Sequence, residues 1–78
     1  MMKKALVTGS SSGIGNAIAL DLASKGFDVA FHYQKNVEAA KDASQKAESY
    51  GVKSIFIGAD VTNPDQAQSL VERTVEEL

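Results

Sequence analysis

The run Thr8-Gly9-Ser10-Ser11-Ser12-Gly13-Ile14-Gly15 sets three glycines and three serines between a short apolar segment and an amphipathic one. Before it, Lys4 to Thr8 holds the apolar Ala5-Leu6-Val7, which reads as a buried strand. After it, from about Ser12 to Lys25, Ile14, Ile18 and Leu22 recur every four residues, with Ala17 and Ala23 between them. That spacing predicts one apolar helix face, with Asp21 and Lys25 paired on the other side. A glycine loop at a strand-to-helix junction is a place for an anion. The first turn of a helix offers unpaired N–H groups and a partial positive charge.

The same alternation continues along the chain. Phe27 to Tyr33 is rich in branched and aromatic residues and reads as a second strand. Asn36 can cap a helix whose Val37, Ala40, Ala43, Ala47 and Tyr50 share one stripe, and Gly51 ends it. Val52 to Gly58 reads as a third strand. Asn63-Pro64-Asp65-Gln66 marks a helix start, with Asn as cap, Pro in the first turn and Gln reaching back. Ala67, Leu70, Val71, Thr74, Val75 and Leu78 give that helix its apolar face. The order βαβαβα implies parallel strands joined by right-handed crossovers. The expected class is α/β, a Rossmann-type doubly wound parallel sheet, incomplete, with strand order 3-2-1. The apolar Ala5-Leu6-Val7 edge would then lack a fourth strand. We therefore expect residues 1–78 to be the N-terminal half of a dinucleotide-binding domain whose catalytic half is not in this chain.

Composition narrows the partners. Apolar residues make up 44% of the chain and charged residues 23%, ordinary values for a globular protein. A net charge of −2 supplies no basic stripe for nucleic acid. With no cysteine there is no disulfide framework and no thiolate metal site, which fits a reducing compartment. The basic opening Met1-Met2-Lys3-Lys4 is followed by too short an apolar run for a signal peptide, and nothing approaches a membrane span. A cytoplasmic location, no membrane partner and no metal are expected.

Within the loop, Gly9 would allow the tight turn, Gly13 a close approach of phosphate to backbone, and Gly15 close packing of helix on sheet. Ser10, Ser11 and Ser12 could add hydroxyl donors. No Lys-Ser/Thr follows the last glycine, so this is not the loop of nucleotide hydrolases. The spacing G-x-x-x-G-x-G also differs from the general G-x-G-x-x-G fingerprint. It resembles the Thr-Gly-x-x-x-Gly-Ile-Gly signature of the short-chain dehydrogenase/reductase family, as does Asp60-Val61 beyond the third strand. The resemblance covers the whole chain and, within the family, looks most like 3-oxoacyl-acyl-carrier-protein reductases and bacterial glucose dehydrogenases.

It implies that Gly9, Ser10, Gly13, Ile14 and Gly15 serve the phosphates and adjoining ribose, and Asp60 and Val61 the adenine. Asp60 also has a plain reading as a turn former before Thr62. An acid at the end of the second strand would accept from the adenosine ribose of NAD. Here the tip reads His32-Tyr33-Gln34-Lys35-Asn36, without one, and Asp28 lies at the wrong end of the strand. NADP is therefore the expected cofactor, with NAD the alternative. Tyr33, Gln34 and Lys35 are candidate contacts, Lys35 reading equally as a solvated surface lysine. His32 reads as a packed strand residue. The family's Ser and Tyr-x-x-x-Lys catalytic set has no match, since Val37 stands four past Tyr33 and Ser54 four past Tyr50. The resemblance thus implies carbonyl or alcohol chemistry, and a homo-tetramer, only for a longer protein. The alternative is a stand-alone dinucleotide-binding module without catalysis.

Overall fold

The computed structural model describes residues 3–78. Met1 and Met2, the start of the basic opening considered above, lie outside them. β1 (Lys3–Val7), α1 (Gly13–Ser24), β2 (Phe27–Tyr33), α2 (Val37–Glu48), β3 (Ser54–Gly58) and α3 (Pro64–Glu77) follow in turn. The strands form one parallel sheet in the order β1-β2-β3, which is the expected 3-2-1 order read from the other edge. The fold is a Rossmann-type α/β arrangement.

Register sets the two faces. Val7 pairs with Phe31, Ala5 with Val29, and Val29 in turn with Ser54. Side chains alternate along a strand, so laterally paired residues point the same way. Val29 and Phe31, fully buried, meet Ala19 and Ala23 of α1 and Ala43 and Ala47 of α2 on one face. Ile57 and Ala59, with the half-buried Leu6 and Ile55, meet Leu70 of α3 on the other. Filling a space of this kind stabilises by ~1.5–3 kcal/mol for each large apolar side chain. Asp28, at the entry end of β2, accepts from the Lys53 amide at 2.9 Å through Oδ1 and so anchors the approach to β3.

The helical periods hold, but their orientation differs from the expectation at two helices. In α1, Ile14 and Ile18 are 81% and 50% exposed, while Ala19 and Ala23 are buried. The row facing the fold is Gly15-Ala19-Ala23, one residue on from the row of isoleucines. Small residues there let the helix axis come close to the sheet, and a row of isoleucines could not. In α3, Leu70, Thr74 and Leu78 are buried, whereas Val71 and Val75 are 53% and 72% exposed. A cavity of about 310 Å³ separates Val71, Thr74 and Val75 from Lys4, Ala5 and Leu6 of β1. Val37 and Tyr50, at the two ends of the α2 stripe, are exposed as well.

The caps explain where α2 and α3 begin. The Ala39 amide donates to Asn36 Oδ1 at 3.0 Å. The amides of Asp65 and Gln66 both donate to Asn63 Oδ1. Gln66 does not reach back to Asn63 as a capping box would. Its Oε1 accepts from the Asp60 amide at 2.8 Å, because the Asn63 amide is already taken by the Asp60 carbonyl. No helix among the described residues is long and apolar enough to cross a membrane.

β1 carries an unpaired edge beside the apolar cavity and the exposed Val71 and Val75. Exposed edges of this kind promote self-pairing. The 78-residue chain should therefore melt at low temperature and elute from size exclusion as more than a monomer. A sharply melting monomer would contradict this account of the edge.

Candidate functional site

The glycine loop is a piece of backbone clamped on its inner side and open on its outer side. Gly9 turns the chain out of β1 with a φ of 62°. Ser10 then folds inward and is fully buried. Its amide donates to the His32 carbonyl at 3.2 Å, and its Oγ accepts from the His32 amide at 3.0 Å. This corrects the expectation that Ser10 offers its hydroxyl outward; the hydroxyl continues the sheet's pairing past the end of β1. Asn16, which the sequence did not single out, donates from Nδ2 to the Ser10 carbonyl at 3.1 Å.

Gly15 also works differently from the expectation. A Cβ there would stand 2.6 Å from the Gly9 carbonyl oxygen and 3.2 Å from Ser10 Cα. The close approach at Gly15 is therefore between the start of α1 and the loop itself, while Ala19 and Ala23 further along the same row give the close packing of helix on sheet. Gly13 has a φ of 65° and nothing within 4 Å of where a Cβ would be, so the space above it is open.

The first turn of α1 is unlike those of α2 and α3. Ser12, its cap residue, is extended and its side chain makes no capping hydrogen bond, and the first turn holds no acidic residue. Glu38 and Asp65 occupy the first turns of the other two helices. The leading N–H groups of α1 and the positive end of its dipole are left for an anion arriving from outside.

A cavity of about 660 Å³ opens where these groups face. Thr8, Gly9, Ser11 and Ser12 line one side, and Tyr33, Gln34, Lys35 and Asn36 the other, with His32 and Val61 completing it. It lies at the carboxyl ends of the parallel strands, where open α/β sheets bind their ligands. Among the described residues the lining contains one cation, Lys35, and no carboxylate. Ile14 stands exposed beside Gly13 at the head of α1.

Tyr33 lines the cavity with its ring laid across β3. A Cβ on Gly58 would come within 2.8 Å of that ring, so the absent side chain is what gives the ring its place. Phe56 is its tilted neighbour, 6.5 Å away between ring centres.

Asp60 adopts the turn-forming arrangement. Its Oδ1 accepts from Thr62 Oγ1 at 2.6 Å and from the Thr62 amide at 3.0 Å. The Thr62 hydroxyl, followed by the Thr62 amide, holds the Asp60 carboxyl below the usual aspartate range. Val61, immediately after it, is 42% exposed and faces the cavity. His32 is buried, as a packed strand residue should be, but its ring also bonds to the loop: the Gly9 amide donates to Nδ1 at 2.9 Å. The only hint of this in the sequence is a polar ring on the strand neighbouring the glycines.

Residues 3–78 match the family model described as short chain dehydrogenase, and the chain belongs to that family. A 3-oxoacyl-acyl-carrier-protein reductase of Staphylococcus aureus is 39% identical over all 78 residues, which span 32% of that protein. Among solved structures, acetoin dehydrogenase from Salmonella typhimurium superposes with a TM-score of 0.93 at 37% identity. That match covers 99% of this chain and 32% of the other. A short chain dehydrogenase from Burkholderia cenocepacia in complex with NADP gives 0.92 at 41% identity, over 97% of this chain and 31% of that one. The chain thus spans about a third of the length of the relatives it matches.

Two outcomes test this geometry without any ligand. Alanine at an ordinary helix position gains ~1 kcal/mol over glycine, yet Gly15→Ala should lose ~1–3 kcal/mol in urea denaturation, because its Cβ meets backbone that cannot step aside. A stabilised variant would refute the contact.

The second concerns Asp60. Its lowered folded-state pKa means that the Thr62 bonds stabilise the fold above the ordinary aspartate range and are lost as pH falls through the folded value. Thr62→Val removes the larger cause, so the Asp60 midpoint followed by NMR should rise toward that of an ordinary aspartate. An unmoved midpoint would show that the hydroxyl contributes nothing.

Proposed function

We propose that the cavity holds a nicotinamide dinucleotide, NADP in preference to NAD, and that the chain is the cofactor-binding portion of a carbonyl reductase. Residues 1–78 are then the N-terminal half of the dinucleotide-binding domain. The observation that carries the reading is the cavity wall itself, which joins an uncapped helix start to a strand tip free of carboxylates. The open space above Gly13 fits a pyrophosphate, since any side chain there would fill it. Gly9, Ser11, Ser12, Gly13 and Ile14 lie where the phosphates and first ribose would sit, with Gly15 and Ser10 holding that backbone in place. Tyr33, Gln34 and Lys35 would face the adenosine ribose, and Asp60 and Val61 the adenine.

A carboxylate at the strand tip would repel a 2′-phosphate, and Tyr33-Gln34-Lys35 presents none. The Burkholderia relative is described in complex with NADP, which supports the same choice. The Staphylococcus relative supports 3-oxoacyl-acyl-carrier-protein reduction as the parent activity. When bound, the dinucleotide supplies the hydride; the residues of this chain bind and orient it. The Ser and Tyr-x-x-x-Lys set, the carbonyl substrate pocket and a homo-tetrameric assembly belong, in this proposal, to the part of the relatives' length that this chain does not span.

Binding constants for NADP and NAD test the assignment. The wild type should prefer NADP. Tyr33→Asp should reverse the order, because it places an acceptor for the ribose hydroxyls and a charge against the 2′-phosphate. Lys35→Ala should weaken NADP by less than about tenfold, as an exposed ion pair contributes ~0–1 kcal/mol. A wild type that binds NAD at least as tightly would overturn the NADP preference.

A further inference from the structure

His32 is a buried, titratable side chain to which the cofactor reading gives no part. Its ring is engaged at both nitrogens. Nδ1 accepts from the Gly9 amide at 2.9 Å, and Nε2 stands 2.8 Å from the Ala59 carbonyl oxygen. A ring nitrogen that accepts from an amide carries no proton, so the neutral ring is protonated at Nε2 and donates to Ala59. Gly9 opens the glycine loop after β1, and Ala59 immediately precedes Asp60 and Val61 after β3. One rigid ring on the middle strand therefore spans from the loop on one side to the turn on the other. The main chain of His32 doubles the hold on the loop through Ser10, and the Tyr33 carbonyl doubles the hold on Ala59.

We propose that His32 is a positioning residue that sets the direction of the Gly9 amide, with its bond to the Ala59 carbonyl holding the ring in the tautomer whose Nδ1 accepts. The proposal rests on the dinucleotide reading above. The two ends demand opposite chemistry, an acceptor toward Gly9 and a donor toward Ala59. Only the Nε2-protonated imidazole meets both from this strand position. Removing the ring leaves a part-buried N–H at Gly9 and a buried C=O at Ala59 without these partners, and the loop must shift to find others.

The test separates the two bonds. An asparagine side chain places an amide oxygen where Nδ1 stands, and a glutamine places an amide NH₂ where Nε2 stands. His32→Asn thus keeps the Gly9 acceptor, His32→Gln keeps the Ala59 donor, and His32→Ala keeps neither. Thermal melts of the full chain identify the variants that remain folded, and NADP titration then ranks them. His32→Asn should bind within about threefold of wild type, while His32→Gln and His32→Ala should bind at least about tenfold more weakly. Where His32→Ala does not fold, the contrast between Asn and Gln decides. Equal affinities for Asn and Gln, or a His32→Ala variant as tight as wild type, would overturn the proposal. A readout without cofactor keeps it distinct from the dinucleotide reading: nitrogen-detected NMR should show His32 protonated at Nε2 and the Gly9 amide protected from exchange. A ring protonated at Nδ1 sinks the strut even if the dinucleotide binds. A wild type that binds no dinucleotide sinks the functional reading, and with it the positioning role.

Discussion

The contact between the start of α1 and the Gly9 carbonyl is the constraint on which the site depends. A phosphate loop must expose N–H groups while its own backbone stays ordered, and those demands oppose each other, because ordered backbone is normally ordered by using its N–H groups. The chain separates them by side. On the inner side, Gly15 lets the helix touch Gly9 and Ser10, Asn16 holds the Ser10 carbonyl, and Ser10 pairs with the His32 main chain. On the outer side, Ser12 leaves the helix start uncapped and Gly13 leaves the space above it clear.

The same requirement runs into the core. For α1 to reach the loop it must lie close against the sheet, and the row Gly15-Ala19-Ala23 supplies the thin surface that allows it. Phe31 and Val29 then fill the layer from the sheet side, with Ala43 and Ala47 of α2 closing it. On the opposite face Leu70 of α3 packs with Ile57 and the half-buried Leu6, while Val71 and Val75 stand across a cavity from β1. The best-packed layer is the one that aims the glycine loop.

At the other end of the cavity, small residues again decide where large ones go. Gly58 lets the Tyr33 ring lie on β3, so the strand tip is broad, and it carries no carboxylate. The Asp60 carboxylate is occupied with Thr62 and the Asp60 amide with Gln66, which fixes the turn that presents Val61 to the cavity.

Much of this was legible in the sequence because it is local. The βαβαβα order, the caps at Asn36 and Asn63 and the glycine spacing each depend on residues within about one or two turns of one another, and chain stiffness and hydrogen-bond reach act over that distance. β2 follows its pattern from Phe27 to Tyr33, since nearly every side chain in it is buried. What the tertiary structure alone decided involves partners far apart in the chain. Periodicity shows that α1 has an apolar row at Ile14, Ile18 and Leu22, but which row faces inward depends on how near the helix must come to the sheet. Ser10 and His32 meet only because parallel register brings the end of β1 level with the end of β2. A sequence specifies each residue's chemistry and period; the direction in which that chemistry points is set by packing, which no short window of sequence contains.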